Sequence, residues 1–127
     1  MEQVWLKSYP AGVPAEIDPD SYPSVAAMLE EVLHRHADRD AVVCLGKVLR
    51  YGELDRLSAQ FAAWLQSLSL ARGSRVALMM PNCHAYVVAL IGVMRAGMAA
   101  VNVNPLYTPR ELEHQLKDSG AEVLLVM

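Results

Sequence analysis

No Cys-x-x-Cys pair occurs in this sequence, and only two of its 127 residues are cysteine, Cys44 and Cys83. That leaves two ordinary reduced thiols, the pattern of a cytoplasmic protein. A large charge excess is also missing: 11 lysines and arginines stand against 14 acidic residues, for a net charge of −3. A nucleic-acid partner therefore has no electrostatic support. No apolar run is long enough for a bilayer, since the stretch from Ala85 to Ala96 is short and interrupted by Arg95. The first residues, Met1-Glu2-Gln3-Val4-Trp5, show no basic region followed by an apolar core, so no secretion signal is read there. Neither Gly-x-Gly-x-x-Gly nor the P-loop pattern Gly-x-x-x-x-Gly-Lys-Ser/Thr occurs, which argues against a dinucleotide oxidoreductase and a P-loop nucleotide site.

The residues that could carry chemistry are scattered. His34 and His36 lie two apart on an expected helix, about 200° around its axis, so they point to different sides and make no metal pair. His114 has Glu111 three residues before it and Lys117 three after, which a solvated helix face explains. Cys83 and His84 are adjacent at an expected strand-to-helix turn, where neighbours rarely aim at each other. Asp18 and Asp20 fall in a proline-rich arm, and Glu30 and Glu31 are consecutive on a helix, so neither pair suits acid–base work. Composition and spacing thus assign no catalytic, cofactor-binding or metal-binding residue.

Organisation is far better marked. An apolar content of 54% with 20% charged residues indicates a globular chain of about one domain. Residues 1–23 hold Pro10, Pro14, Pro19 and Pro23 and read as an extended arm. Residues 24–70 read as helix, hairpin, helix. Ser24 caps the first helix, whose stripe is Val25, Met28, Leu29, Val32 and Leu33. Strands at Ala41–Leu45 and Val48–Tyr51 turn at Gly46-Lys47. The second helix, Glu53 to Leu68, presents Leu54, Leu57, Phe61, Leu65 and Leu68. Residues 71–127 alternate strand and helix, which predicts an α/β fold with a βαβαβ, mostly parallel sheet. Its strands are Arg75–Met80, Met98–Val103 and Val123–Val126. A helix apolar almost all round runs from His84 to Ala96 and is ended by Gly97. The other helix is punctuated residue by residue: Thr108 as N-cap, Pro109 at the first position, Glu111 closing a capping box, and Gly120 beyond the end.

Three stretches in this order, "LRYGELDRLSAQFAAWLQ" (Leu49 to Gln66), "GSRVALMMPN" (Gly73 to Asn82) and "MRAGMAAVNVNPLYTPRELEHQLKDSGAEVLLV" (Met94 to Val126), resemble the start of an AMP-forming acyl-CoA synthetase. The first is similar to the opening core motif of the adenylate-forming superfamily, Leu-Thr-Tyr-x-Glu-Leu, through Tyr51, Glu53 and Leu54. The third is similar to the second core motif, Leu-Lys-Ala-Gly-x-x-x-Val-Pro, through Gly97. "VWLKSYPAGVPAEIDPDSYPS" and "NVNPLYTPRELEHQL" narrow the likeness to the bacterial long-chain fatty acid–CoA ligases. Gly73, Arg75, Pro81, Asn82, Asn104, Pro105, Tyr107, Thr108, Pro109, Glu111 and Gly120 carry the rest of it. Arg50 departs from the usual Thr, Ser74 from Asp and Asn102 from Pro.

The resemblance implies a parent enzyme that joins a long-chain fatty acid to coenzyme A with ATP and Mg2+, through an acyl-adenylate. It also implies that the phosphate loop, the ribose-binding aspartate and the catalytic lysine lie beyond Met127. Residues 1–127 are then expected to be an N-terminal scaffold piece of the adenylation domain, inactive alone. A stand-alone ligand-binding module and an assembly module remain open as alternatives. So do a homodimer or edge-strand association, and peripheral contact of the cytoplasmic parent with the inner membrane.

Overall fold

The computed structural model describes residues 3–127, so the first two residues of the expected arm lie outside the described ones. The arm begins with a short 3-10 helix, Val4–Ser8, where the prolines suggested no regular element. From there to Pro23 it has no helix or strand and is exposed throughout.

Helix α1 spans Val25–Arg35, and the Ser24 hydroxyl accepts from the Ala27 amide at 3.1 Å, as its cap position requires. Leu33 is the buried anchor of the helix, whereas Val25, first of the expected stripe, is left exposed. Strands β1 (Asp40–Cys44) and β2 (Lys47–Arg50) form an antiparallel hairpin. Cys44 pairs with Lys47, so the turn is Leu45-Gly46, one residue earlier than expected. Both turn residues take positive φ, 50° at Leu45 and 75° at Gly46. That is the signature of the tight turns that match strand twist, and it leaves Leu45 in a conformation better suited to Asn.

Helix α2 (Tyr51–Ser67) begins two residues before the expected start and takes Tyr51 from the strand. The Glu53 carboxylate accepts from the Arg50 amide at 3.2 Å, half of a capping box. An arginine side chain has no acceptor with which to supply the other half. Its most buried residues are Leu54, Ser58, Ala62 and Leu65, while Leu68 projects outward. Ser58 and Ala62 are inside because helix α3 (His84–Arg95) comes very close through Gly92. A Cβ on Gly92 would sit 2.7 Å from Phe61 Cδ1 and 3.0 Å from the Ser58 carbonyl oxygen.

Helix α3 is apolar on two sides because it serves two cores. Ala89 and Val93 pack with Leu65, Val76, Leu78 and Met80. Ile91 packs with Leu33, Leu49 and Leu54, joining α1, the hairpin and α2. Each leucine-sized side chain so buried contributes about 1.5–3 kcal/mol.

Strands β3 (Arg75–Met79), β4 (Ala99–Asn102) and β5 (Val123–Val126) form one parallel sheet in the order β4-β3-β5. Val76 aligns with Ala100 on one side and Val123 on the other. The central strand is the driest part of the chain: Val76, Ala77 and Leu78 are each 0% exposed.

Helix α4 (Pro109–Ser119) has the expected ends. The Glu111 amide donates to Thr108 Oγ1 at 3.4 Å, and Glu111 Oε2 accepts from the Thr108 hydroxyl (2.7 Å) and amide (2.8 Å). Gly120 closes the helix in the left-handed region at φ 61°. The Thr108 hydroxyl first, and its amide second, hold the Glu111 carboxyl below its ordinary value. A depressed carboxyl adds stability that is full above the unfolded-chain value and fades as pH falls through the lower folded one. We therefore expect the first turn of α4 to fray on acidification below about pH 4. Amide exchange at residues 110–112 should accelerate there, and Glu111→Gln should show no such pH step. Equal profiles for the two proteins would refute the capping account.

Candidate functional site

In an open parallel sheet, ligands bind beyond the carboxyl ends of the strands, where successive connections leave in opposite directions. Here the chain goes from β3 to its neighbour β4 through α3. It then returns across β3, through α4, to β5. The switch point thus falls between β3 and β5, and the carboxyl edge of the sheet beside it, with the turns that leave β3 and β4, is the candidate site.

Two turns form that edge. Pro81-Asn82-Cys83 leads from β3 into α3, with Pro81 and Asn82 exposed. Asn104-Pro105-Leu106-Tyr107 leads from β4 into the cap of α4. Asn104 Oδ1 accepts from the Leu106 amide at 3.0 Å and its carbonyl accepts from the Tyr107 amide at 3.1 Å, an Asx turn. An open groove beside α4 is lined by Tyr107, Arg110, Glu111, His114, Gln115 and Asp118. Gln115 Nε2 donates to the Asn102 carbonyl at 3.0 Å, while its Oε1 is buried without a partner. A second groove, of about 440 Å³ and mainly apolar, lies between β2, α2 and α3, with Leu57, Phe61 and Val88 in its wall.

The motif residues fall into three groups. Pro81, Asn82, Asn104, Pro105, Tyr107, Thr108, Pro109 and Glu111 belong to the carboxyl-edge turns and the capped start of α4. Gly73, Arg75, Gly97 and Gly120 stand at the opposite edge, where the Gly73 amide donates to the Gly97 carbonyl at 2.9 Å. The Arg75 carbonyl there accepts from the Glu122 amide at 2.9 Å. Tyr51, Glu53 and Leu54 open α2, away from both edges of this sheet. The Tyr51 amide donates to the Arg39 carbonyl at 3.0 Å, and its ring lies 5.9 Å from that of His36.

One charged cluster is missed entirely by sequence reasoning. Arg95 Nη1 donates to Asp55 Oδ1 (2.6 Å), the Asp55 carbonyl (2.9 Å) and Ser58 Oγ (3.0 Å). Its Nε lies 3.4 Å from Glu30, and His34 Nε2 lies 3.4 Å from the other Asp55 oxygen. The cluster ties α1, α2 and α3 together. Its partners are separated by tens of residues, so no local pattern announces it. His84 does not turn toward Cys83 for hydrogen bonding; its Nε2 meets the Val42 carbonyl at 3.2 Å. Among the described residues no three metal-ligating side chains converge.

This is an open parallel α/β architecture with a candidate site at the carboxyl edge of its sheet. The family model described as "AMP-binding enzyme" matches residues 29–127, and the chain belongs to that family. It is 58% identical over 128 aligned residues to a long-chain-fatty-acid–CoA ligase of Yersinia pestis, all of this chain against 23% of that protein. The chain thus spans about a quarter of the length of such relatives. Among solved structures, the NpsA N-terminal subdomain of Klebsiella oxytoca, in complex with anthranilyl-AMSN, superposes with a TM-score of 0.77 at 26% identity. That match covers 81% of this chain and 27% of the other. The anthranilate CoA ligase AuaEII, in complex with anthranoyl-AMP, gives a TM-score of 0.80 at 25% identity over 87% of this chain and 22% of that one.

Proposed function

We propose that this chain is the sheet-founding segment of an ATP-dependent long-chain fatty acid–CoA ligase. The 58% identity to the Yersinia pestis ligase, extending over the whole chain, carries this reading. In the reaction so assigned, a fatty carboxylate oxygen attacks the α-phosphorus of ATP and pyrophosphate leaves. The coenzyme A thiol then attacks the acyl carbon of the adenylate, and AMP leaves. Both steps need two anions held in line and charge neutralised at phosphorus. The residues described here supply little of that. Arg95 is spent on Asp55 and Glu30. The Mg2+ implied by such chemistry finds no converging ligand set among them. Their contribution is positional: the β3 and β4 ends and the capped start of α4 form a rigid floor.

A chimera tests this. Residues 1–127 should replace the matching first quarter of the Yersinia pestis ligase, with fatty-acid-dependent ATP–pyrophosphate exchange kept within about tenfold of the parent. The 127-residue chain alone should show none. A folded but inactive chimera, or exchange by the isolated chain, would overturn the reading.

A further inference from the structure

The two cysteines, remote in sequence, meet at one place in the fold. Along β1, Val43 projects outward while Val42 and Cys44 are half-buried, so the latter two share the inward face. That face touches the start of α3 at two points. The Val42 carbonyl meets His84 Nε2 at 3.2 Å, and Cys44 Sγ lies 3.8 Å from the Asn82 carbonyl oxygen. The residue between Asn82 and His84 is Cys83, so the two contacts bracket it against the strand that carries Cys44. Both thiols are half-buried and line the same small cavity, with Val42, Asn82, Tyr86 and Val87. Among the described residues the only hydrogen bond either sulfur makes is the long one from Cys44 to the Asn82 carbonyl, which is weak and readily given up.

We propose that Cys44 and Cys83 are a modification site: a dithiol that a peroxide converts to an intramolecular disulfide, fastening the β1–β2 hairpin to the start of α3. One thiolate attacks a peroxide oxygen; a sulfur–oxygen bond forms, the oxygen–oxygen bond breaks, and hydroxide leaves to become water. The second thiolate attacks that sulfenic sulfur; the sulfur–sulfur bond forms and the oxygen departs as a second water. Two thiols lose two electrons and the peroxide gains them. Dithiothreitol reverses the product by exchange. The closing pair must bring its Cα atoms to about 4.4–6.8 Å, and Cys44 Sγ already lies 3.8 Å from the carbonyl oxygen of the peptide leading into Cys83. Neither thiol enters the ligase reaction, so the fate of this proposal is separate from that reading.

The reduced 127-residue chain should be treated with one equivalent of hydrogen peroxide and followed by intact mass and non-reducing peptide mapping. The expected product is a monomer lighter by two hydrogens, giving one linked peptide pair that contains Cys44 and Cys83. It should form about tenfold faster, or more, in native buffer than in concentrated guanidinium, because only the fold brings the thiols together. Cys44→Ser, with its fold checked by circular dichroism, should not give it. Added oxygen on unlinked thiols, dimers joined between chains, or equal rates with and without denaturant would overturn the proposal.

Discussion

Gly92→Ala is expected to destabilise the chain by about 1–2 kcal/mol, and Gly92→Val by roughly 3 kcal/mol or more. Helix propensity alone predicts the opposite sign, since alanine is favoured over glycine in a helix interior by about 1 kcal/mol. Contact decides it. The new methyl would lie 2.7 Å from Phe61 Cδ1 and 3.0 Å from the Ser58 carbonyl oxygen. The Phe61 ring could swing, but it stacks on Trp64 with centroids 5.4 Å apart. The Ser58 carbonyl is backbone and moves only if the helices part. Parting them would open the core around Ser58, Ala62 and Val93, all buried. Urea unfolding should show a lower midpoint at an unchanged slope. In a double-mutant cycle, Phe61→Ala should recover part of the Gly92→Ala loss. A Gly92→Ala protein as stable as the wild type would show that the helices have room to spare.

Arg95→Ala is expected to cost about 2–3 kcal/mol, at the low end for a buried ion pair because the cluster is partly wet. The arginine side chain is 14% exposed and that of Asp55 24%. Its removal leaves Asp55 Oδ1 and the Ser58 hydroxyl without their shared donor, in the crevice where three helices meet. Arg95→Met keeps most of the apolar stem and isolates the charge from the packing. Arg95→Lys should recover only part of the loss, since an ammonium lacks the planar donor geometry that serves Asp55 and Glu30 together. Chemical denaturation of the three variants measures this. If alanine and methionine both fall within about 0.5 kcal/mol of the wild type, the cluster is decoration.

These two sites are also where the sequence is least legible, and for one reason. The ends of α4 could be read from Thr108, Pro109, Glu111 and Gly120 because capping is settled within a single turn of chain. The burial of α3 could be read because an apolar circumference has to be covered on every side, and two cores cover it. The resemblance to acyl-CoA synthetases rested on ordered stretches and was met by family membership. Gly92 is locally just a small residue in an apolar run; its necessity comes from α2, some thirty residues away. Arg95 looked like an interruption, because Asp55 and Glu30 reach it only through the tertiary fold. The hairpin turn was misplaced by one residue because glycine alone advertises positive φ. The pairing of Cys44 with Lys47 forces Leu45 into it as well. Tyr51 reads as a strand residue until Glu53 is noticed at the third helical position.

The Gln115 contact bears on how this sheet can grow. Strand β3 is hydrogen-bonded on both sides, so a newcomer strand could join only outside β4 or β5. On β4 the Ala99 amide donates to Ser74 and the Val103 amide to Leu78, so Asn102, one residue before Val103, turns its carbonyl to the outer rim. Gln115 already occupies that carbonyl, which blunts the rim as a docking rail. The opposite rim, along β5, carries no such stopper among the described residues. Enlargement is thus steered one way, by a single amide side chain.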